Sequence, residues 1–473
     1  MKKNKKIDKK LVITFTIFVI SIVVFLVMFM KSESDYYWHI KAGEYMFHNG
    51  ILKRDVFSWY LSGTYWMSHE WLSEIILYSF KCIFPTYHLL VYGFVFMSSL
   101  LLILFFANKD SYLKNIHFSM IWVTFSALFI SFMQGRPHLI SFNLLALTLW
   151  FLYDTYRNED SKLIYFLPLV TIIWANVHGG SSNLSYLLCF IFLIVGLFNF
   201  ERSKVVMHRI SKKQIIKYLV VALVCMLCIN INIHGFKMFI YPYQNMMDKT
   251  MLSNVTEWFP TNLNNPDNWP YLCLVVFIFF VLLLSKKKID FMDLALFGIA
   301  VVLGFKSIRF WSYTYIFMSF VVCNYVEKKK IPDGIYGVLI IVSIAFIGLF
   351  VSNWNLVNKQ LNEKYLDDGV ITKIKEEKPE RLFNMYNYGG ELIYNDIPVF
   401  IDGRADLYSK YNYQNYLRIS ISKPDYVSLI KLYKFDYFLV DKDFPISTYL
   451  QYNPDYINIY DTQEFALYKK TVN

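Results

Sequence analysis

Residues 2–30 read KKNKKIDKKLVITFTIFVISIVVFLVMFM, a basic head followed by an uncharged, mostly apolar run. A run of about 20 such residues, wound as a helix, matches the hydrocarbon thickness of a bilayer. The apolar part is too long for a signal peptide and no small-residue cleavage site follows, so it reads as a retained anchor. The same pattern recurs near 86–107, 117–134, 139–156, 163–177, 184–200, 216–233, 270–285, 291–306, 309–326 and 333–352. That predicts a polytopic α-helical membrane protein of about eleven transmembrane helices.

Composition agrees with this reading. The 473 residues are 56% hydrophobic and 18% charged, with mean hydropathy +0.35. Globular chains carry roughly 45–50% apolar and about 25% charged residues, so the excess signals lipid as solvent. A single water-soluble domain, a disordered tail protein and a disulfide-framed secreted domain are excluded. The six cysteines lie in or beside apolar runs, and the CxxC of Cys225 and Cys228 reads as two small apolar residues rather than a metal or redox pair.

The net charge of +11 is distributed as short basic patches between apolar runs: the head itself, 201–213, 286–288 and 327–330. That is the loop pattern of a membrane protein with basic cytoplasmic loops, and it argues against nucleic acid as a partner. With the N-terminus in the cytoplasm, the inside segments are 1–10, 108–116, 157–162, 201–215, 286–290 and 327–332. Two long loops, 31–85 and 230–269, then lie outside, as does everything from about 353 onward. The expected location is the plasma membrane, with multiple passes.

Ionisable side chains at membrane depth are costly and mark function by default. Here they fall on one face. Asp35, His39, Asp55, His69 and Glu70 sit in the first outer loop. Arg136 and His138 lie in QGRPH, Asn176 and His178 in WANVHGG, His234 in INIHGF, Glu257 in TEWFP, and Lys306 and Arg309 in FKSIRF. Taken singly, each has an ordinary explanation: a hydrated loop acid, a helix-end turn at His178, a snorkelling Arg309, an interfacial belt of tryptophans. Taken together they divide chemical labour. Carboxylates outside the bilayer serve as a general base or hold a divalent metal. Arginine and lysine hold a phosphate that leaves as an anion. Faces such as those of Trp38 and Trp71 stack on sugar rings.

The first loop, SESDYYWHIKAGEYMFHNGILKRDVFSWYLSGTYWMSHEWLSE (32–74), resembles the first extracytoplasmic loop of bacterial GT-C-type integral-membrane glycosyltransferases. It looks most like a branch with a D-x-x-W-H start, a later D-x-F-S and an H-E-W-L. GRPH (135–138), WANVHGG (174–180), NIHGF (232–236), EWFP (257–260) and VFIDGRADLY (399–408) match that branch in order, across nearly the whole chain. The resemblance implies a GT-C-like fold, a polyprenyl-phosphate-linked sugar donor and transfer on the outer face. Asp35 matches the family's base or metal-associated carboxylate, with Asp55, Glu70 and His39 supporting it. A divalent cation, Mg2+ or Mn2+, is a possible cofactor, with Asp35 as its ligand. Arg136, Lys306 and Arg309 are expected to hold the donor phosphate. Trp38, Trp71, His138, Asn176, His178, His234 and Glu257 are expected to line the substrate. The acceptor is a glycan, a lipid or a protein.

From about 353 the composition shifts to Asp, Lys, Asn and Tyr. A linker-like stretch, 359–380, precedes strand candidates RLFNMY, PVFID, DYFLVD, YINIYD and FALYKK, with helix candidates near 389–395, 412–420, 424–433 and 445–451. The expected organisation is a transmembrane domain over 1–352 and a small extracytoplasmic α/β domain over 353–473, with a largely parallel sheet. Asp402, Arg404 and Asp406, directly after the strand candidate PVFI, read either as an acceptor-recognition or closing segment or as a tight turn with an Asp–Arg–Asp salt-bridge set. Two rival readings remain for the whole chain: a membrane transporter or flippase, and a catalytically inactive scaffold of an envelope-polymer assembly. The absence of paired Gly/Pro-broken spans and the scarcity of charge inside the spans argue against the transporter.

Overall fold

In the computed structural model, residues 9–130, 135–247, 256–327, 334–408 and 410–471 are described. The last part of the expected span 117–134, and the basic residues 2–6 and 328–330, lie outside them. The chain forms two compact units, Met1–Met30 with Thr86–Gln360, and Lys31–Pro85 with Leu361–Asn473.

The first unit is helical. Each stretch expected to span contains a helix: Lys9–Val27, His88–Ala107, Ile116–Ile130, His138–Arg157, Leu167–Val177 with the short turn before it, Leu184–Gly196, Lys212–Cys228, Trp269–Leu284, Phe291–Lys306, Trp311–Cys323 and Ile335–Ser352. Among the described residues, six helical stretches are long and apolar enough to cross a membrane. Side-chain caps fix two of the helix starts. Ser211 and Gln214 make a reciprocal capping box that begins the helix Lys212–Cys228, and the Asp290 carboxylate accepts the Met292 amide to begin the helix Phe291–Lys306. A small sheet of β1 (Phe200–Arg202), β2 (Val205–Met207) and β3 (Ile289–Asp290) ties two polar turns together.

The second unit differs from the domain division expected from composition. The first loop folds with the C-terminal part, because both contribute to one apolar core. Trp38, Ala42, Met46, Leu52, Phe57 and Trp66 are buried with Leu382, Phe383, Phe400, Phe438 and Leu467. The loop contributes the helices Ser34–Asn49 and Trp71–Ile83, which approach most closely at Gly43, where a Cβ would overlap the Glu74 backbone. The C-terminal part contributes a sheet in the order β4 (Leu382–Asn384), β5 (Tyr437–Asp441), β7 (Phe465–Lys470), β6 (Tyr456–Asp461). Only β4–β5 is parallel, while β5–β7 and β7–β6 are antiparallel, so the expectation of a largely parallel sheet is corrected. The short turn between β6 and β7 makes a hairpin, which forces antiparallel pairing. Helices Gly389–Tyr394, Lys410–Ser420, Tyr426–Tyr433 and Pro445–Tyr452 lie where the sequence places them.

Two local expectations change. The stretch read as a linker holds the helix Asp368–Glu377, which the Asp367 carboxylate begins by accepting the Val370 amide at 2.7 Å. The segment PVFI is no ladder strand: Val399 exchanges backbone hydrogen bonds with Phe57 and Trp59, and the Asn384 side chain bridges Phe400 N and Ile401 O. The sheet edge is thus continued by an amide side chain rather than by a strand.

Glu391, 2% exposed, accepts the Tyr365 and Leu366 amides at 2.6 and 3.0 Å and holds the strap that enters this unit. Burial raises its carboxyl to about 7, although the two amides act to lower it. The folded state therefore binds this proton more tightly than the unfolded chain does, and the group's contribution to stability falls as pH rises from the ordinary carboxyl range through about 7. Thermal unfolding of the full chain in lipid nanodiscs should show that decline, and Glu391→Gln should flatten it. An unchanged slope in the variant would refute the assignment.

Candidate functional site

Chemistry-bearing side chains gather at one place in each unit. In the helical unit the organising feature is a set of turns between helices. Arg136 precedes Pro137 and the helix beginning at His138, and its carbonyl accepts the Tyr92 hydroxyl at 3.2 Å. Glu257 lies in the turn Thr256–Trp258, and Arg309 in the turn Ile308–Phe310. These last two turns are laced by backbone and side chain. Thr261 N donates to Phe305 O, Ile308 N to Phe259 O, and Ser307 Oγ to Glu257 O at 2.8 Å.

The lacing sets the charged groups. Arg136 Nη1 reaches Glu257 Oε1 at 2.5 Å, and Arg309 Nη1 lies 3.4 Å from Glu257 Oε2. Arg309 Nη2 donates to His138 Nε2 at 2.6 Å, and its guanidinium stands 4.9 Å over the Trp258 ring. Because arginine only donates, that nitrogen of His138 carries a lone pair. The His138 and His178 rings lie 4.4 Å apart, and His178 Nδ1 is held by Ser141 Oγ and Ser181 Oγ at 2.8 and 2.9 Å. Trp174 Nε1 donates to the same two hydroxyls. The two guanidiniums face one carboxylate, so these three groups carry one net positive charge.

Other sequence-nominated residues stand apart from that cluster. Asn176 ties its helix end to Ile231 O at 2.9 Å, and His234 is buried with its amide on Asn232 Oδ1. Both shape a neighbouring turn. Lys306 is exposed and makes no hydrogen bond or ion pair among the described residues, so the structure does not join it to Arg136 and Arg309. Ser141, Ser181 and Trp174 are participants that sequence reasoning did not nominate. A hydroxyl carries no charge, so nothing in the pattern distinguished these serines from others in apolar helices.

In the second unit the first loop supplies four acids, Asp35, Asp55, Glu70 and Glu74, in three environments. Asp35, in the first turn of its helix, is partly exposed and accepts Trp38 Nε1 at 3.2 Å. A Cβ on Gly403 would overlap Asp35 Oδ1, so only glycine lets the 402–406 segment lie against this carboxylate. Glu70 and Glu74 flank the buried His39. Glu74 Oε1 lies 3.1 Å from His39 Nδ1, and Glu70 Oε2 lies 3.7 Å from His39 Nε2. Ser68 Oγ donates to the other Glu74 oxygen at 3.1 Å. Burial pushes the Glu74 carboxyl up, against the pull of the His39 imidazole. The Trp38 and His39 rings are 3.6 Å apart, which links this cluster to Asp35. Trp71, half-buried, begins the helix that carries Glu74.

Asp55 has a different environment. Its carboxylate is buried and accepts the Phe57 and Ser58 amides at 3.1 Å, the Ser58 hydroxyl, and Arg404 Nη1 at 2.6 Å. Arg404 is fully buried and also grips Asp402 through Nε and Nη2 at 2.8 and 2.6 Å, while Tyr408 donates to the same acid. Its guanidinium lies over Trp66 and Phe57 at 4.8 and 5.2 Å. The salt-bridge set expected around Arg404 therefore forms with Asp55 as its second acid. Asp406 turns instead toward His69, 3.6 Å away, and His69 Nε2 lies 3.5 Å from Glu70. Burial alone would lower the His69 imidazole, but the two carboxylates outweigh it and raise it to about 10.

His39, Glu70 and Glu74 place one nitrogen and two carboxylate oxygens within 4.8 Å of one another, close enough to converge on a divalent ion. A mixed imidazole–carboxylate set suits Mn2+ better than Mg2+, which prefers oxygen alone. Asp35, the metal-associated carboxylate that the resemblance implies, is not one of the three.

Removing the buried cation is the sharpest structural test of the second unit. Arg404→Met leaves Asp55 and Asp402 buried without their counter-charge, a loss of about 3–5 kcal/mol. A scan of the full chain should show a fall in Tm of several degrees, and the double variant Arg404→Met/Asp55→Asn should recover part of it. A Tm equal to the parent's would mean that the cluster does not hold the unit together.

No protein-family model matches the sequence, and no curated protein matches it. Two similar solved structures are both from Archaeoglobus fulgidus. One is the oligosaccharyltransferase in the apo form, 11% identical, covering 93% of this chain and 70% of that one, with TM-score 0.46. The other is the archaeal oligosaccharyltransferase AglB in complex with an inhibitory peptide and a dolichol-phosphate, 10% identical, covering 97% of this chain and 74% of that one, with TM-score 0.51. The chain thus has a membrane-protein fold like that of an oligosaccharyltransferase.

Proposed function

We propose that this chain is a GT-C-like glycosyltransferase that moves a sugar from a polyprenyl-phosphate-linked donor to an extracytoplasmic glycan, lipid or protein acceptor at the outer face of the plasma membrane. The observation that carries the reading is the pair Arg136 and Arg309 converging on Glu257, two guanidiniums for one carboxylate. Two converging guanidiniums suit an incoming phosphate, because arginine's fork matches its oxygens. The likeness in fold to AglB, solved with a dolichol-phosphate, supports the same choice of donor.

In this mechanism the donor's phosphate binds Arg136 and Arg309, with His138 orienting Arg309. The acceptor's nucleophilic hydroxyl or amide gives its proton to the Asp35 carboxylate as it bonds to the sugar's anomeric carbon. The bond from that carbon to the phosphate oxygen breaks, and the two arginines stabilise the departing anion. Trp38 fixes Asp35 by its Nε1–H, and Glu70 and Glu74 hold His39 behind that indole. Asp55 acts through Arg404 as a positioning residue. A divalent cation, Mg2+ or Mn2+, would be held by His39, Glu70 and Glu74 and would supply Lewis-acid charge.

Native mass spectrometry of the full chain in a mild detergent tests the donor directly. A polyprenyl-phosphate lipid should co-purify or load, and Arg136→Ala/Arg309→Ala should lose it. Asp35→Asn should retain the lipid and lower product formation about a hundredfold or more. Bulk phospholipid alone in both samples, even after loading with polyprenyl-phosphate sugars, would favour the scaffold reading.

A further inference from the structure

We propose that the second unit carries a saccharide-binding cleft, separate from the carboxylate cluster, between Ser422–Tyr426 and Lys442–Tyr449. The cleft is open, encloses about 460 Å3, and is lined by Ser422, Tyr426, Lys442, Asp443, Thr448 and Tyr449 among others. Three local structures build it. Ser422 lies in the turn after the helix Lys410–Ser420, Tyr426 begins the helix Tyr426–Tyr433, and Thr448 and Tyr449 lie on the helix Pro445–Tyr452.

The lining alternates apolar faces with hydrogen-bonding groups. The Tyr426 and Tyr449 rings are perpendicular with centroids 5.0 Å apart, so one presents its face beside the other's edge. Tyr449 is backed by Tyr456, which packs edge-on against Phe438. A pyranose has the same division: a C–H face that covers an aromatic ring, and a rim of hydroxyls that donate and accept. Ser422 adds an independent sign of a missing partner. Among the described residues its Oγ is buried with no hydrogen-bond partner, and its backbone is left-handed, φ 51°, where glycine is the usual residue. A buried hydroxyl left unpaired costs stability that a ligand hydroxyl would return.

Charge separates a saccharide from the other candidates. Lys442 is paired with Asp461 at 2.8 Å, and Asp443 adds a negative group, so the cleft has no surplus positive charge for a phosphate. Its polar rim is unsuited to an acyl chain. This inference goes beyond the donor assignment and does not depend on it.

The test is equilibrium binding of chitotetraose, cellotetraose and maltotetraose to the full chain in lipid nanodiscs prepared without glycoside detergents. At least one should bind saturably with Kd below ~10 mM. Tyr426→Ala and Tyr449→Ala should each weaken it about tenfold, and Ser422→Gly, which suits the left-handed backbone and keeps the fold, about threefold. Arg136→Ala/Arg309→Ala should leave this affinity unchanged, which separates the cleft from the donor assignment. Failure of all three saccharides to bind overturns the proposal. So does unaltered affinity in the two tyrosine variants and Ser422→Gly while their thermal unfolding matches the parent's.

Discussion

The second unit depends on a cation that water cannot reach. Arg404 is 1% exposed, and its charge is sustained only because Asp402 grips it bidentately and Asp55 closes the remaining side. Isolating a guanidinium from water costs several kcal/mol, which a pair of well-placed carboxylates offsets. Asp402 and Asp55 lie far apart in sequence. Satisfying Arg404 therefore requires the first loop and the C-terminal segment to fold as one body. Around this centre Phe57 and Trp66 cover the guanidinium, and Val399 exchanges backbone hydrogen bonds with the loop.

The other features of that unit follow from this closure. With the 402–406 segment held by Arg404, Gly403 lies against Asp35, and a side chain there would displace the carboxylate. Asp406 and Glu70 stand on either side of His69, adding a charged contact between loop and C-terminal segment. Four acids that look alike in sequence thus acquire three different conditions. Asp55 is fully occupied, Glu70 and Glu74 are shared with an imidazole, and Asp35 remains partly exposed beside the Trp38 indole. A group that must exchange protons with substrate needs the last of these conditions, and a group that organises a fold needs the first.

The helical unit solves a related problem with less burial. Arg136, Glu257 and Arg309 lie in turns and segments between helices rather than in helix interiors, so backbone lacing can bring them together without stranding them in hydrocarbon. Ser141 and Ser181 then orient His178, whose ring lies 4.4 Å from that of His138 and tilted by 60°, and a chain of contacts runs from apolar helix to cation.

The sequence alone determined the helices, because a run of apolar residues bounded by charge has one stable form in lipid. It also identified the C-terminal helices and four of the strand candidates, since turn residues and alternating apolar positions are local signals. It nominated Asp35, Arg136, His138, His178, Glu257 and Arg309 as costly residues outside ordinary spans. Tertiary structure decided which of these meet. Sheet direction depended on a hairpin between β6 and β7, the linker-like stretch became a helix through one capping aspartate, and PVFI lost its ladder to an asparagine side chain. The pairing of Arg404 with Asp55, 349 positions apart, is a matter of charge satisfied in three dimensions, and no local pattern encodes it. Hydropathy acts residue by residue and is legible in a string, whereas the desolvation of an ion is settled only by its neighbours in space.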